Sequence, residues 1–253
     1  MEAWKTRVYA TYAATAAEAA GYPPGDRRKR ARDVRDYRRR YRAFLPADRS
    51  SPVLDIGCGS GAFIEMLRRL GYTAVEGIDF SDTQVATAAA HGVAGVRAAS
   101  AVQYLSERRQ RYAVITAFSV LEHQTRAELF ELLDAVRDAL LPGGLFMAVV
   151  PNAKGLFGAH VRFADITHEL SFTPASVVQT CRVAQLDVVA IAEHGPIVHG
   201  GVSAIRWAVW QAIRAGLLIA RAAEGGDIRW PVFTQDLVFV ARRATGQPSP
   251  RQS

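Results

Sequence analysis

A chain of 253 residues that is 49% hydrophobic and 22% charged has the composition of a globular protein, which excludes a mostly disordered chain. Its 31 Lys+Arg outweigh 24 Asp+Glu, giving a formal charge of +7 that suits an acidic partner or simply keeps an arginine-rich surface soluble. Two cysteines, Cys58 and Cys181, exclude a disulfide scaffold and fit a reducing compartment.

In chain order, the first 25 residues are rich in alanine and tyrosine and close on the turn signal Tyr22-Pro23-Pro24-Gly25. They carry Glu2, Lys5 and Arg7 and lack the leucine-rich core of a secretory signal, so the expected location is the cytoplasm, with the inner face of a membrane an open option. Arg27 to Phe44 is dense in arginine, and Val34, Tyr37, Tyr41 and Phe44 recur at helical spacing, which predicts a basic amphipathic helix. Strands are expected at Val53–Ile56, Ala74–Asp79, Arg111–Ser119, Leu145–Val150, Asp187–Glu193 and Phe233–Arg243. Helices are expected at Ala62–Leu70, Ser81–Ala90, Arg126–Leu140, Ala175–Ala184 and Ile205–Ala223. Leu141-Pro142-Gly143-Gly144 reads as a turn, and Asn152–Leu170 as a long polar loop of the kind that forms lids. The alternation of strand and helix predicts an α/β protein with a mostly parallel sheet and helices on both faces. The organisation expected is an N-terminal helical segment over residues 1–49, one domain over 50–243 with an acceptor-side lid at 152–232, and a disordered tail at 244–253. The apolar stretch from Ile205 is interrupted by Arg206, Arg214 and Arg221; each charge at bilayer depth costs about 2.5–3.5 kcal/mol, so it does not span a membrane.

The sharpest motif is Val53-Leu54-Asp55-Ile56-Gly57-Cys58-Gly59-Ser60-Gly61, a strand end that opens through glycines into a helix. Small residues let a ligand approach the backbone, and the helix start offers unsatisfied N–H groups. An acid ahead of the glycines suits a cationic ligand better than a diphosphate. Asp79, at the end of the second strand, stands where an acid can accept both hydroxyls of a ribose, or else cap the following helix.

VLDIGCGSG followed by EGIDFS resembles the cofactor motifs of class I S-adenosylmethionine (SAM)-dependent methyltransferases, and Leu121-Glu122-His123 and Leu141–Gly144 extend the resemblance over residues 52–151. It implies a Rossmann-like fold of seven strands with SAM across the strand C-termini. Asp55, Gly57, Cys58, Gly59 and Gly61 would face the methionine part and Asp79 the ribose; Phe80 would stack on adenine, with Ser100, Ala101 and Phe118 nearby. Ser100-Ala101 departs from the family, which carries an Asp near the adenine amine. Cys58 and Cys181 are expected to be packing residues.

Methyl transfer from a sulfonium is an in-line displacement, helped chiefly by holding two atoms in line. An alcohol acceptor also wants a base or a metal. Two constellations offer help. Glu122-His123 resembles the E-x-x-E-H of ubiquinone-pathway O-methyltransferases, associated there with a divalent metal; Ser119 replaces the first carboxylate, so no tightly bound metal is expected. Arg162 to Glu169 offers His168 as first choice of general base, oriented by Asp165 or Glu169, with His123 second. The alternatives are a capped surface loop at Asp165–Thr167 and a His123 that merely packs.

Pro151-Asn152-Ala153, Arg162–Thr173, the Ile205 helix and Phe233-Thr234-Gln235-Asp236-Leu237 together resemble a bacterial group of glycan-pathway methyltransferases, which implies a sugar hydroxyl, with Arg162, Trp210 and Arg214 as substrate contacts. On the Ile205 helix Arg206, Trp210, Arg214 and Arg221 share a side, fitting a core-packed helix with a solvated arginine stripe, an acceptor groove holding a phosphate-bearing sugar, or a membrane or dimer contact. No nucleic-acid module is visible. Ala117-Phe118-Ser119-Val120 lacks the amino-methylase signature, which disfavours N-methylation. The expectation is an O-methyltransferase for a sugar hydroxyl. Its rivals are a phenol or natural-product O-methyltransferase and a SAM-binding protein without turnover.

Overall fold

The computed structural model describes residues 4–5, 7–8, 26–225 and 229–244. The Tyr22–Gly25 turn and the tail from 245 onward lie outside the described residues. Helix α1 (Arg27–Tyr41) leads through a short 3-10 turn into β1 (Val53–Ile56), α2 (Ala62–Arg69), β2 (Val75–Asp79), α3 (Asp82–Ala90), β3 (Val96–Ala98), α4 (Ala101–Ser106) and β4 (Tyr112–Phe118). A 3-10 turn (Leu121–His123) follows, then α5 (Arg126–Ala139), β5 (Leu140–Pro151), α6 (Gly158–Ala164), α7 (Pro174–Val183), β6 (Leu186–Glu193), α8 (Gly201–Ala223) and β7 (Asp236–Arg243).

The sheet has the order β3-β2-β1-β4-β5-β7-β6; the first five strands are parallel, and β7 runs antiparallel to both β5 and β6. Two apolar clusters lie on its two faces. One gathers α1, α2 and α3 residues such as Tyr41, Phe63 and Ala88; the other gathers α4, α5 and α7 residues such as Leu105, Leu133 and Val177. Chain order reverses between β1 and β4, so the carboxyl ends of these two strands frame the crevice where an open α/β sheet binds its ligand.

Helix α1 is docked as its pattern predicts, with Val34 and Tyr41 buried. Tyr37 and Tyr41 stack on Phe118, and Phe63 meets Phe118 edge-on at 5.0 Å. Arg30 donates to the Ser60 carbonyl at 2.7 Å and pairs with Glu65 at 2.6 Å, fixing the helix to the glycine loop.

Four local expectations need correction. The short β3 and α4 went unanticipated because half-exposed Val96 and exposed Arg97 and Ala98 carry no strand pattern. Leu141–Gly144 is not a turn between elements: β5 begins at Leu140, and the pairing slips between Tyr112 and Val114, so this segment is an irregularity inside the strand, with Gly143 at φ 76°. The polar segment from Asn152 contains the short helix α6, so it is not all loop. Finally, α8 has no buried residue; Val202, Ile205, Val209 and Ile219 are exposed, while Trp210 and Arg214 turn inward to Glu193 at 3.3 and 3.4 Å. Trp210, Arg214 and Arg221 are half-buried while Arg206 is exposed, so the stripe is not wholly solvated, and the aliphatic side is not the packed one. Among the described residues no helix is long and apolar enough to cross a membrane.

Arg30→Ala removes a charge-assisted anchor between α1 and the glycine loop. It is expected to cost about 2 kcal/mol, and a melting scan should show a drop of roughly 4–8 °C.

Candidate functional site

At the switch point, β1 delivers Asp55 and Gly57, while β4 delivers Ser119 and Val120. Gly57 adopts φ 66°, and a Cβ there would fall 2.4 Å from Val120 Cγ2. Both facts require glycine: the backbone is left-handed, and the two strand ends nearly touch. Gly59 and Gly61 also have positive φ, and Gly61 stands at the N-cap of α2.

Beside this loop lies a cavity of about 500 Å³. Of the residues expected to bind cofactor, Gly57, Asp79, Phe80, Ser100 and Ala101 line it, as does His123. Asp79 accepts from Gly59 N at 2.8 Å and Ser81 N at 2.9 Å, so one carboxylate braces the glycine loop and the start of α3. Phe80 is half exposed at the rim. Ser100 holds the N-cap position of α4 without making the side-chain capping bond. Asp55, Cys58, Gly59, Gly61 and Phe118 are not among the residues that line it. Burial pushes the Cys58 and Cys181 thiols up, consistent with packing roles.

Asp55 is buried in β1 opposite Thr116, whose hydroxyl donates to it at 2.6 Å. Desolvation and the nearby Asp79 charge outweigh that bond and push its carboxyl up to about 7.

The far end of the cavity is built from pieces distant in sequence. Glu169 N and Leu170 N both donate to the Glu122 carbonyl, at 2.7 and 3.0 Å, stitching the polar segment to the turn after β4. This brings the His168 ring to 4.8 Å from that of His123. Asp165 accepts from Thr167 N at 2.8 Å and from its hydroxyl at 2.6 Å. With its proton on Asp165, Thr167 Oγ1 is an acceptor for His123 Nδ1 at 2.7 Å. Burial holds the His123 imidazole down to about 4 and pushes the Glu122 carboxyl up to about 8. His168 Nδ1 lies 2.9 Å from the Val161 carbonyl, and Arg162 donates to the Glu169 carbonyl at 3.1 Å. The Glu169 carboxylate pairs with Lys5 at 3.3 Å. Trp210 and Arg214, expected as substrate contacts, do not line the cavity.

Sequence reasoning missed Lys5, Gln103 and Glu128, which also line the cavity. Lys5 is 3% exposed and donates to the His123 carbonyl at 3.1 Å, a role no local pattern announces. Glu128 was legible as the last residue of a Thr125-x-x-Glu128 capping box, which the structure forms.

Comparison with known proteins shows the family and the fold. Residues 27–191 match a protein family described as a methyltransferase domain. The ubiquinone biosynthesis O-methyltransferase of Caulobacter sp. (strain K31) is 37% identical over 105 residues, 40% of this chain and 40% of that protein. The one from Methylobacterium nodulans is 33% identical over 170 residues, 61% of this chain and 67% of the relative. The match thus spans less than half the length of the Caulobacter relative. The crystal structure of a SAM dependent methyltransferase from Archaeoglobus fulgidus superposes with a TM-score of 0.61 at 21% identity, over 83% of this chain and 94% of that one, which is a likeness of fold.

Three outcomes are expected here. Gly57→Ala should fold yet lose SAM affinity about tenfold or more in calorimetry, a loss of about 1.4 kcal/mol or more. Asp55 carries a raised pKa, so its contribution to stability is full at acid pH and disappears as pH rises through about 7. Asp55→Asn should therefore raise the ligand-free melting temperature at pH 8. In the wild type, a cationic donor that favours the ionised carboxylate should release about half a proton per chain on binding at pH 7, read as a dependence of calorimetric heat on buffer ionisation enthalpy.

Proposed function

From the premise that the chain belongs to the methyltransferase-domain family, with S-adenosylmethionine as its methyl donor, we propose that it transfers the methyl group to a hydroxyl oxygen of a small-molecule acceptor. The observation that carries this reading is the polarity of the cavity. One end offers Asp79, Phe80 and Ser100 to an adenosine; the other ends on His123, backed by Glu122 and His168. The names of the Caulobacter and Methylobacterium relatives, both O-methyltransferases, support the same acceptor atom.

In this reading Asp79 accepts from the ribose hydroxyls, and Ser100, freed from capping, reaches the adenine edge. Buried Asp55 sets a negative charge behind the cationic methionine part. The acceptor hydroxyl lies against His123. The Asp165–Thr167–His123 chain leaves the proton on Nδ1 and a lone pair on Nε2. The oxygen attacks the methyl carbon as the S–C bond breaks, the sulfonium becomes a neutral thioether, and the hydroxyl proton passes to His123. His123 thus stands ahead of His168 as the base, the reverse of the order expected from sequence, because the hydroxyl relay from Asp165 runs to His123.

A sugar hydroxyl was the acceptor expected from the segments around Asn152, Thr167 and Gln235. The structure gives those segments other work. Asn152 donates to the Val232 and Thr234 carbonyls at 3.1 and 2.8 Å, and Trp210 and Arg214 engage Glu193. An acceptor hydroxyl on a small phenolic or alicyclic ring asks for none of these contacts.

His123→Ala is expected to lower kcat by about 10²–10⁴-fold while SAM still binds. Release of S-adenosylhomocysteine against a panel of phenols, alcohols and glycosides measures both the rate and the acceptor class. Wild-type activity confined to amines or thiols would contradict the proposal.

A further inference from the structure

Helix α8 has 23 residues, and none of them is buried. A helix of this length is normally held by an apolar face packed against a neighbour. Here the side turned to β6 is the polar one, through Trp210 and Arg214 on Glu193. The opposite side carries Val202, Ile205, Val209, Ala212, Gly216 and Ile219, all exposed. Its valines and isoleucines keep between 53% and 72% of their surface in water. The steps between these six positions alternate three and four, which is the a/d seam of a helix that coils against another helix. Gly216 is a second observation. A Cβ there would meet no atom within 4 Å among the described residues, so the chain's own packing gives no reason for glycine. Glycine is the poorest helix former after proline, and it suits a place where another backbone comes close.

We propose that this seam packs against the same seam of a second copy of the chain, with the two α8 helices antiparallel about a two-fold axis near Ala212. The order of side-chain sizes favours that occupant. The first half of the seam is bulky, with Val202, Ile205 and Val209; the second half has Ala212 and Gly216 before Ile219. Antiparallel pairing lays the bulky half of one copy on the smaller half of the other. Parallel pairing would set bulk on bulk and leave a void at Ala212 and Gly216. Charge gives the same answer. Arg206 is the one exposed charged residue within α8, and antiparallel copies hold the two Arg206 about 18 Å apart along the axis. A helix that lies on anionic lipid carries its cations on an exposed polar side, whereas Arg214 here is engaged by Glu193. The area is sufficient: a seam of about three heptads buries on the order of 1,200 Å² in total, the lower end of stable interfaces, and a two-fold contact closes on itself. No residue of α8 lines the cavity, so this interface is independent of the methyl-transfer reading.

The test is sedimentation velocity of the full chain across micromolar concentrations. The expected result is a species of twice the chain mass. Val209→Glu places a charge in the seam and Gly216→Leu fills the close approach. Each should weaken self-association by about 100-fold, with SAM binding retained as the check on folding. Leucine is the better helix former, so a loss of the dimer in Gly216→Leu is not a loss of the helix. Cross-linking reads the direction. A thiol reagent spanning about 10 Å should join Ala212→Cys to its copy. It should not join Val202→Cys, whose copy lies about 30 Å away along the axis. The native Cys58 and Cys181 are buried and do not compete. A monomer at every concentration, or a dimer that both seam variants leave intact, would overturn the proposal. A monomer that sediments with phosphatidylglycerol vesicles would also overturn it and give the face to lipid. Ready cross-linking of Val202→Cys would overturn the antiparallel arrangement.

Discussion

The site depends on one backbone carbonyl. Glu122 O accepts from both Glu169 N and Leu170 N, and through those two bonds a segment leaving β5 is tied to the turn leaving β4. Without them His168 and Thr167 would belong to a surface excursion, and His123 would stand alone at the end of the cavity. With them, Thr167 is fully buried and carries the link between Asp165 and His123. Buried Asn152 secures the same segment from the other side by donating to the Val232 and Thr234 carbonyls. The motif residues around Asn152, Thr167 and Thr234 thus act on the position of the histidines, and need not touch an acceptor to matter.

A second constraint is electrostatic. Among the described residues, three acidic or basic side chains are buried near the crevice, and each has a different answer to desolvation. Asp55 takes a hydroxyl from Thr116 yet remains hard to ionise until a cation approaches. Lys5 is neutralised by Glu169 and bonded to the His123 carbonyl. Glu122 has the least compensation, with one carboxylate oxygen unpartnered. The two carboxylates are strained by burial where a positive methyl donor and an acceptor proton would meet, so ligand charge relieves a cost already present in the folded chain.

What was legible in the sequence was local. The glycine loop and Asp79 lie within short stretches whose geometry follows from the strand-turn-helix itself, and Gly57 and Asp79 both line the cavity. Ser100, which also lines it, stands at the start of the unanticipated α4 and was placed by the family resemblance alone. The parallel core followed from alternation of strand and helix. What was not legible depends on contacts between distant segments or on orientation. Three-residue β3 has no buried side chain to make a pattern. Leu141–Gly144 has the residues of a turn, but pairing of Leu140 with Tyr112 draws it into β5. The wheel of α8 correctly separates arginine and tryptophan from aliphatic residues. It cannot say which side faces inward, and here Glu193 attracts the polar side and leaves Ile205 and Ile219 outside. His123 and His168 are 45 positions apart, and the stitch at Glu122 together with the Thr167–His123 bond makes them neighbours.

A crystal structure with S-adenosylhomocysteine tests the central claim most directly, because it shows where the sulfur points. The account predicts adenosine between Phe80 and Ser100, ribose on Asp79, and the sulfur facing the Glu122–His123–His168 cluster across a gap wide enough for one acceptor oxygen. A sulfur directed away from that cluster, with His123 and His168 screened from it by protein, would contradict the account.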